Sequence, residues 1–210
     1  INPVLKEVAT FAPVSVDTYR SEVAAFAIEN GASIINDVTS GSDPAMFDVI
    51  ADSDAKIVLM YSALTKPHDF SFQEREVENS GVDLIVKIRE FFHKKLEKAL
   101  ESNILAEQII LDPGMGAFVS KRPEYSWQLI RRFKELAETE FPLMFASSRK
   151  GFLKQEGESS PIERDPLTAL TGTLVAQDFG FHGPDYIRVH NVKLQRAFLN
   201  TAFKVAIMQP

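Results

Sequence analysis

Apolar residues recur along the chain at two spacings. Short apolar or β-branched runs at Pro13–Asp17, Ser33–Asp37, Lys56–Tyr61, Gln108–Asp112, Pro142–Ser147 and Tyr186–His190 predict six strands. The intervening stretches Ser21–Glu29, Pro44–Ala51, Asp83–Glu101, Glu124–Glu138, Asp165–Asp178 and Lys193–Phe203 read as amphipathic helices. Ile1, Val4, Leu5, Val8 and Ala9 also repeat at helical spacing, so the chain should open on the tail of a helix. Strict alternation of strand and helix predicts a parallel sheet covered by helices. No linker, repeat or low-complexity tract interrupts it, and residues 1–210 read as one domain.

Polar residues gather at one end of these runs. Asp17, Asn36, Tyr61, Asp112, Ser147 and His190 each stand at or just past the carboxyl end of a predicted strand. In a parallel sheet those ends share a side, which is where barrels and open α/β sheets place their sites. All six groups should therefore converge on one mouth.

Composition narrows the ligand. A formal charge of −6 argues against nucleic acid or an anionic membrane as partner, so an anion must be held by local basic groups. Absence of cysteine excludes disulfides, thiolate metal sites and thiol catalysis, and fits a reducing compartment. No apolar run reaches bilayer length and no signal peptide opens the chain, so the expected setting is the cytoplasm.

Four motifs carry more specific information. They are Val14-Ser15-Val16-Asp17-Thr18 with Ile34-Ile35-Asn36-Asp37-Val38, then Leu111-Asp112-Pro113-Gly114-Met115-Gly116, then Ser147-Ser148-Arg149-Lys150-Gly151-Phe152-Leu153, and finally Ile187-Arg188-Val189-His190-Asn191-Val192. In this order and spacing the chain resembles the dihydropteroate synthase family of pterin-binding enzymes. The resemblance runs from that family's third strand to its last helix. It implies an α/β fold, a parallel (β/α)8 TIM barrel with about six of the eight strands encoded here. It also implies a transferase that joins 6-hydroxymethyl-7,8-dihydropterin pyrophosphate to para-aminobenzoate in folate biosynthesis, releasing pyrophosphate, and that is a sulfonamide target.

The same resemblance distributes roles. Asp17, Asn36, Met60, Asp112 and Lys150 would hold the pterin, with the Asp112 carboxylate accepting two N–H groups from its pyrimidinone edge. Arg188 and His190 would grip the pyrophosphate and, with Lys150, form the catalytic set. Arg suits that task because its planar guanidinium donates paired, charge-assisted hydrogen bonds. Arg188 and His190 fall two apart in a predicted strand, so both should leave one face. Ser148 and Arg149 would belong to the para-aminobenzoate pocket. Mg2+ is the implied cofactor, though the family asparagine that helps bind it lies in the first loop, which this sequence lacks, so no metal ligand is assigned here.

The sequence departs from the family's pattern at Tyr61, where His is common, at Asn191, where Asp is common, and in the longer Gly116-Ala117-Phe118-Val119-Ser120-Lys121 segment. The family's first two β/α units are also absent, which suggests part of a longer chain, such as a fusion to the preceding pathway enzyme. A homodimer is implied as well, with Leu194, Phe198, Ala202 and Val205 as an apolar face. Two other readings stay open. A methyltetrahydrofolate:corrinoid methyltransferase shares the barrel and its acidic pterin floor, but has no pyrophosphate for Arg188 and His190 to hold. A catalytically silent pterin-binding or scaffold domain would need no catalysis at all.

Overall fold

The computed structural model describes residues 2–64 and 81–208. Six parallel strands follow chain order: β1 (Ser15–Asp17), β2 (Ile34–Asp37), β3 (Lys56–Met60), β4 (Ile109–Asp112), β5 (Met144–Phe145) and β6 (Tyr186–Ile187). The first four form one continuous sheet, with Asp17 beside Asn36, Asn36 beside Val58 and Met60 beside Asp112. A Leu111–Leu143 bridge joins β4 to the β5–β6 pair, so every strand neighbours its sequence neighbour. Helices α1 (Asn2–Ala9), α2 (Ser21–Glu29), α3 (Met46–Ala51), α4 (Leu84–Glu101), α5 (Pro123–Arg131), α6 (Asp165–Asp178) and α7 (Val192–Ile207) alternate with the strands. The result is a partial (β/α)8 barrel. Six strands are present, and β1 and β6 do not pair with each other among the described residues.

Each central strand is buried on both faces, and alternation divides its residues between two cores. Ile35, Ile57, Leu59, Ile109, Leu111 and Phe145 face the helices, in one large cluster with Phe92, Phe133 and Leu129. Val58, Ile110 and Met144 face the other way, forming a small inner cluster with Ile34 and Tyr186. Tyr61 and Ser147, expected at the mouth, fall on the helix side of this alternation. Tyr61 packs its ring edge-on against Phe91 of α4, with centroids 5.3 Å apart. Ser147 shares a 3.0 Å hydrogen bond with Thr171 of α6. Both stand at a strand end as expected, but they face the helices and not the lumen.

Helix boundaries follow from local chemistry. Asp83 caps α4 by accepting from the Ile85 and Val86 amides. One face of that helix buries Leu84, Ile85, Ile88 and Phe92 at helical spacing. The helix expected over Glu124–Glu138 stops at Arg131 and continues as a 3-10 segment, Phe133–Thr139. At the break, Arg132 forks onto Glu135 and reaches Asp83. The α6–α7 contact depends on Gly172, where a β-carbon would fall 2.6 Å from the Gln195 side chain. At the front, Leu5 buries itself while Val4 stays exposed, and Ile1 lies outside the described residues.

Phe133 is 1% exposed and meets Phe145 edge-on at 5.3 Å, locking the α5–β5 layer. Phe133→Ala is expected to destabilise the protein by about 3–5 kcal/mol through lost burial and an uncollapsed cavity. A urea unfolding curve measures it, and a loss below about 1 kcal/mol would show this ring to be peripheral to the core.

Candidate active site

The loops after β5 and β6 wall a cavity of about 310 Å³, lined by Ser148, Arg149, Lys150, Arg188 and His190 among others. Beside it lie the inward-facing ends of β1, β2, β3 and β4, which supply Asp17, Asn36, Met60 and Asp112. The two groups are linked by charge. Arg188 donates to Asp17 at 2.6 Å, tying the two flanks of the sheet across 171 residues of sequence. Lys150 is attracted to both Asp112 and Asp17.

Asp112 is the most constrained member. Its side chain is buried at 4% exposure, and one oxygen accepts the Gly114 amide at 2.8 Å. The turn that permits this needs glycine, since Gly114 has φ +69° and a β-carbon there would lie 2.4 Å from the Tyr61 carbonyl. Burial pushes the Asp112 carboxyl up to about 6, against the partial offsets of the Gly114 hydrogen bond and the charges of Lys150 and Arg188. Met60 is buried next to it in register. Asn36 donates to Asp17 at 2.8 Å, while its own Oδ1 is buried with no hydrogen-bond partner. An orphaned buried acceptor on the lumen side is fitted to a ligand that brings N–H donors.

The cationic side is arranged by contacts that the sequence does not announce. Lys150 sits over the Phe118 ring at 4.7 Å, a shelf that attracts the ammonium without neutralising it. Burial lowers the Lys150 ammonium from its ordinary range, and Asp112 opposes that shift. Strand β6 ends at Ile187, so Arg188 and His190 belong to the loop after it, where both line the cavity. Each has its own partner: Arg188 donates to Asp17, and His190 meets Ser148, whose hydroxyl lies 2.7 Å from Nδ1 and accepts the His190 backbone N–H at 3.1 Å. Arg149 lines the cavity, but its guanidinium forks onto Asp165 at 2.7 and 2.9 Å. Phe118 and Asp165 were missed in the sequence. One lies in an irregular segment, and the other reads as an ordinary helix start. Among the described residues no three His, Cys, Asp or Glu side chains gather so as to hold a metal ion.

Acceptors on one flank and cations on the other stand together at the carboxyl ends of the parallel strands of a partial barrel. The chain belongs to the pterin-binding enzyme family, whose model matches residues 1–190. It is 35% identical over 187 residues to dihydropteroate synthase type-3 of Escherichia coli, covering 86% of this chain and 65% of that protein. A crystal structure of dihydropteroate synthase from Anaplasma phagocytophilum with bound 6-hydroxymethylpterin-monophosphate superposes with a TM-score of 0.82 at 31% identity, covering 97% of this chain and 74% of that one. The Xanthomonas albilineans enzyme in complex with 7,8-dihydropteroate gives 0.82 at 26% identity, over 100% of this chain and 75% of that one. The chain spans about two thirds of the length of the curated relatives it matches.

Holding Asp112 ionised and dry costs stability. Its folded value of about 6 lies above the unfolded value of about 3.9, so the folded state binds more protons between about pH 4 and 6. Stability therefore falls as pH rises through that window, by about 3 kcal/mol for the full shift. Asp112→Asn is expected to be more stable than the parent at pH 7, by up to that amount, with the gain gone near pH 4. Urea titrations at both pH values check this. Equal stability of the two proteins at pH 7 contradicts it.

Proposed function

We propose that this chain is the larger part of a dihydropteroate synthase, condensing 6-hydroxymethyl-7,8-dihydropterin pyrophosphate with para-aminobenzoate. The observation that carries the reading is the buried Asp112 carboxylate, with Lys150 and Arg188 close enough to feel its charge, on the same lumen side as the orphaned Asn36 oxygen. The curated relatives and the ligand-bound structures it resembles bear the same name.

Asp112 accepts from the pterin's pyrimidinone edge, Asn36 and Asp17 complete the polar floor, and Met60 lies against the ring. Arg188, His190 and Lys150 face the pyrophosphate. As the bond from the pterin methylene to the phosphate oxygen breaks, the electron pair leaves with pyrophosphate, and these donors stabilise the charge it gains. The aromatic amine then forms the new carbon–nitrogen bond and gives up a proton. An aniline nitrogen needs no strong base for this attack. Ser148 and Arg149 border the side from which para-aminobenzoate arrives. Mg2+ would add positive charge at the leaving group, but no protein ligand set for it gathers among the described residues, and no step here depends on it.

A homodimer is proposed on the apolar groups exposed by the last two helices. Leu170 and Leu174 of α6 and Phe203 and Val205 of α7 are all more than two-fifths exposed, whereas Leu194, Phe198 and Ala202 are partly covered within the chain. No helix among the described residues is long and apolar enough to cross a membrane. A cytoplasmic setting, and fusion to a neighbouring pathway enzyme, are proposed on the lack of cysteine and on the family alone.

Arg188 and Asp17 are each about half exposed, so their pair contributes at most about 1 kcal/mol to stability. Arg188→Ala should leave the unfolding midpoint nearly unchanged while weakening pyrophosphate binding by about 2–3 kcal/mol, roughly two decades. Calorimetry with inorganic pyrophosphate and a dihydropteroate assay test the two halves. Pterin binding without product formation would leave only a silent pterin-binding domain. A variant that loses stability but keeps its pyrophosphate affinity would make Arg188 structural.

A further inference from the structure

Arg149 stands in the left-handed region at φ +55°, one residue before Lys150, which is extended. A residue with a β-carbon seldom stays there unless its surroundings hold it. Three contacts do so, all from the start of α6 or the residue before it. The Arg149 amide donates to Thr168 Oγ1 at 3.1 Å, and its carbonyl accepts from Arg164 at 2.7 Å. Its guanidinium forks onto both oxygens of Asp165. Arg164 is itself held by Glu158 in a largely buried pair.

Asp165 does more than receive this one cation. It is 6% exposed, and its Oδ2 also accepts from the Asn191 amide at 3.2 Å. Asn191 in turn caps α7 by accepting the Leu194 N–H at 3.0 Å. One carboxylate therefore ties the loop after β5, which carries Ser148 and Lys150, to the loop after β6, which carries Arg188 and His190. The fork from Arg149, followed by the hydrogen bond from Asn191, holds the Asp165 carboxyl below the usual carboxylate range despite burial, so it stays charged at neutral pH.

We infer that Asp165 is a positioning residue. Through Arg149 it fixes the left-handed turn that swings Lys150 onto Phe118 and inward, and through Asn191 it sets the distance to the His190 loop. Arg149 is then a strut between α6 and the site, not a contact to bound substrate. The inference rests on the proposed pterin and pyrophosphate site, and it deepens that reading.

Two readouts on the intact chain, taken well below the unfolding temperature, test it. One is calorimetry with inorganic pyrophosphate, and the other is acetylation of the Lys150 amine followed by peptide mass spectrometry. Asp165→Asn, nearly isosteric, should weaken pyrophosphate by about tenfold and raise Lys150 acetylation several-fold. Arg149→Lys keeps the positive charge but loses the two-pronged grip, and should weaken binding as much as Arg149→Ala. A purely structural Asp165 would lower the unfolding midpoint and leave both readouts unmoved, which overturns the inference. So does an Arg149→Lys variant that keeps the parent affinity while Arg149→Ala loses it, since Arg149 would then touch the anion directly. If the parent chain binds no pyrophosphate, the functional reading fails, while Lys150 acetylation still decides the role of Asp165. If Asp165→Asn does not fold, the two Arg149 variants decide it alone.

Discussion

A parallel strand buried on both faces must serve two cores at once, and in this barrel the polar floor of the site descends from that requirement. The outward residues of β2, β3 and β4 are committed to the helix layer, so only alternate positions remain for the lumen. On the lumen side the apolar bed is small: Val58, Ile110 and Met144, with Ile34 and Tyr186 against them. Asn36 stands level with Val58 of that bed, and Met60 and Asp112 stand one inward position above Val58 and Ile110. The polar floor is therefore placed by strand register and by the helix packing that fixes it, before any loop contributes.

Above that floor, charges are kept apart by different means. Asp112 is isolated by burial, Lys150 rests on an aromatic face, Arg188 leans on an exposed carboxylate, and Arg149 is consumed by a buried one. Full pairing at every position would have silenced the cations. Leaving them bare would have raised the cost of clustering like charges at the barrel mouth. Of these cavity cations, Arg149, whose partner Asp165 is buried, is the one neutralised by a forked pair among the described residues.

Six strands, their order and their shared polar ends could be read from the sequence because β-branched runs and helical periodicity are strong, local signals. What resisted reading was geometry that needs tertiary context. Tyr61 and Ser147 sit at strand ends as expected, yet one step of alternation decides whether such a residue meets ligand or helix. The left-handed turn at Arg149 carries no glycine to mark it, and the early end of α5 comes from Arg132 finding partners at Asp83 and Glu135. Asp165 looks like any acidic residue in a first helical turn. Its role emerges only when Arg149 and Asn191, 16 and 26 residues away, are seen to converge on it. Phe118 belongs to a segment without periodicity, so nothing in the pattern marked it as the seat of a lysine.

The Asp17–Arg188 contact has a further consequence. Because it joins β1 to the loop after β6, which do not pair among the described residues, the protein carries a tethered rival for the guanidinium proposed to hold the pyrophosphate. On the proposed function, an incoming phosphate group does not meet a vacant cation. It displaces a carboxylate present at an effective concentration set by the fold. Dissolved salt screens the incoming anion, and it screens the exposed tethered carboxylate too. The two effects oppose one another in the measured affinity. Anion binding by the proposed site would thus be buffered against ionic strength by a competitor that can never diffuse away.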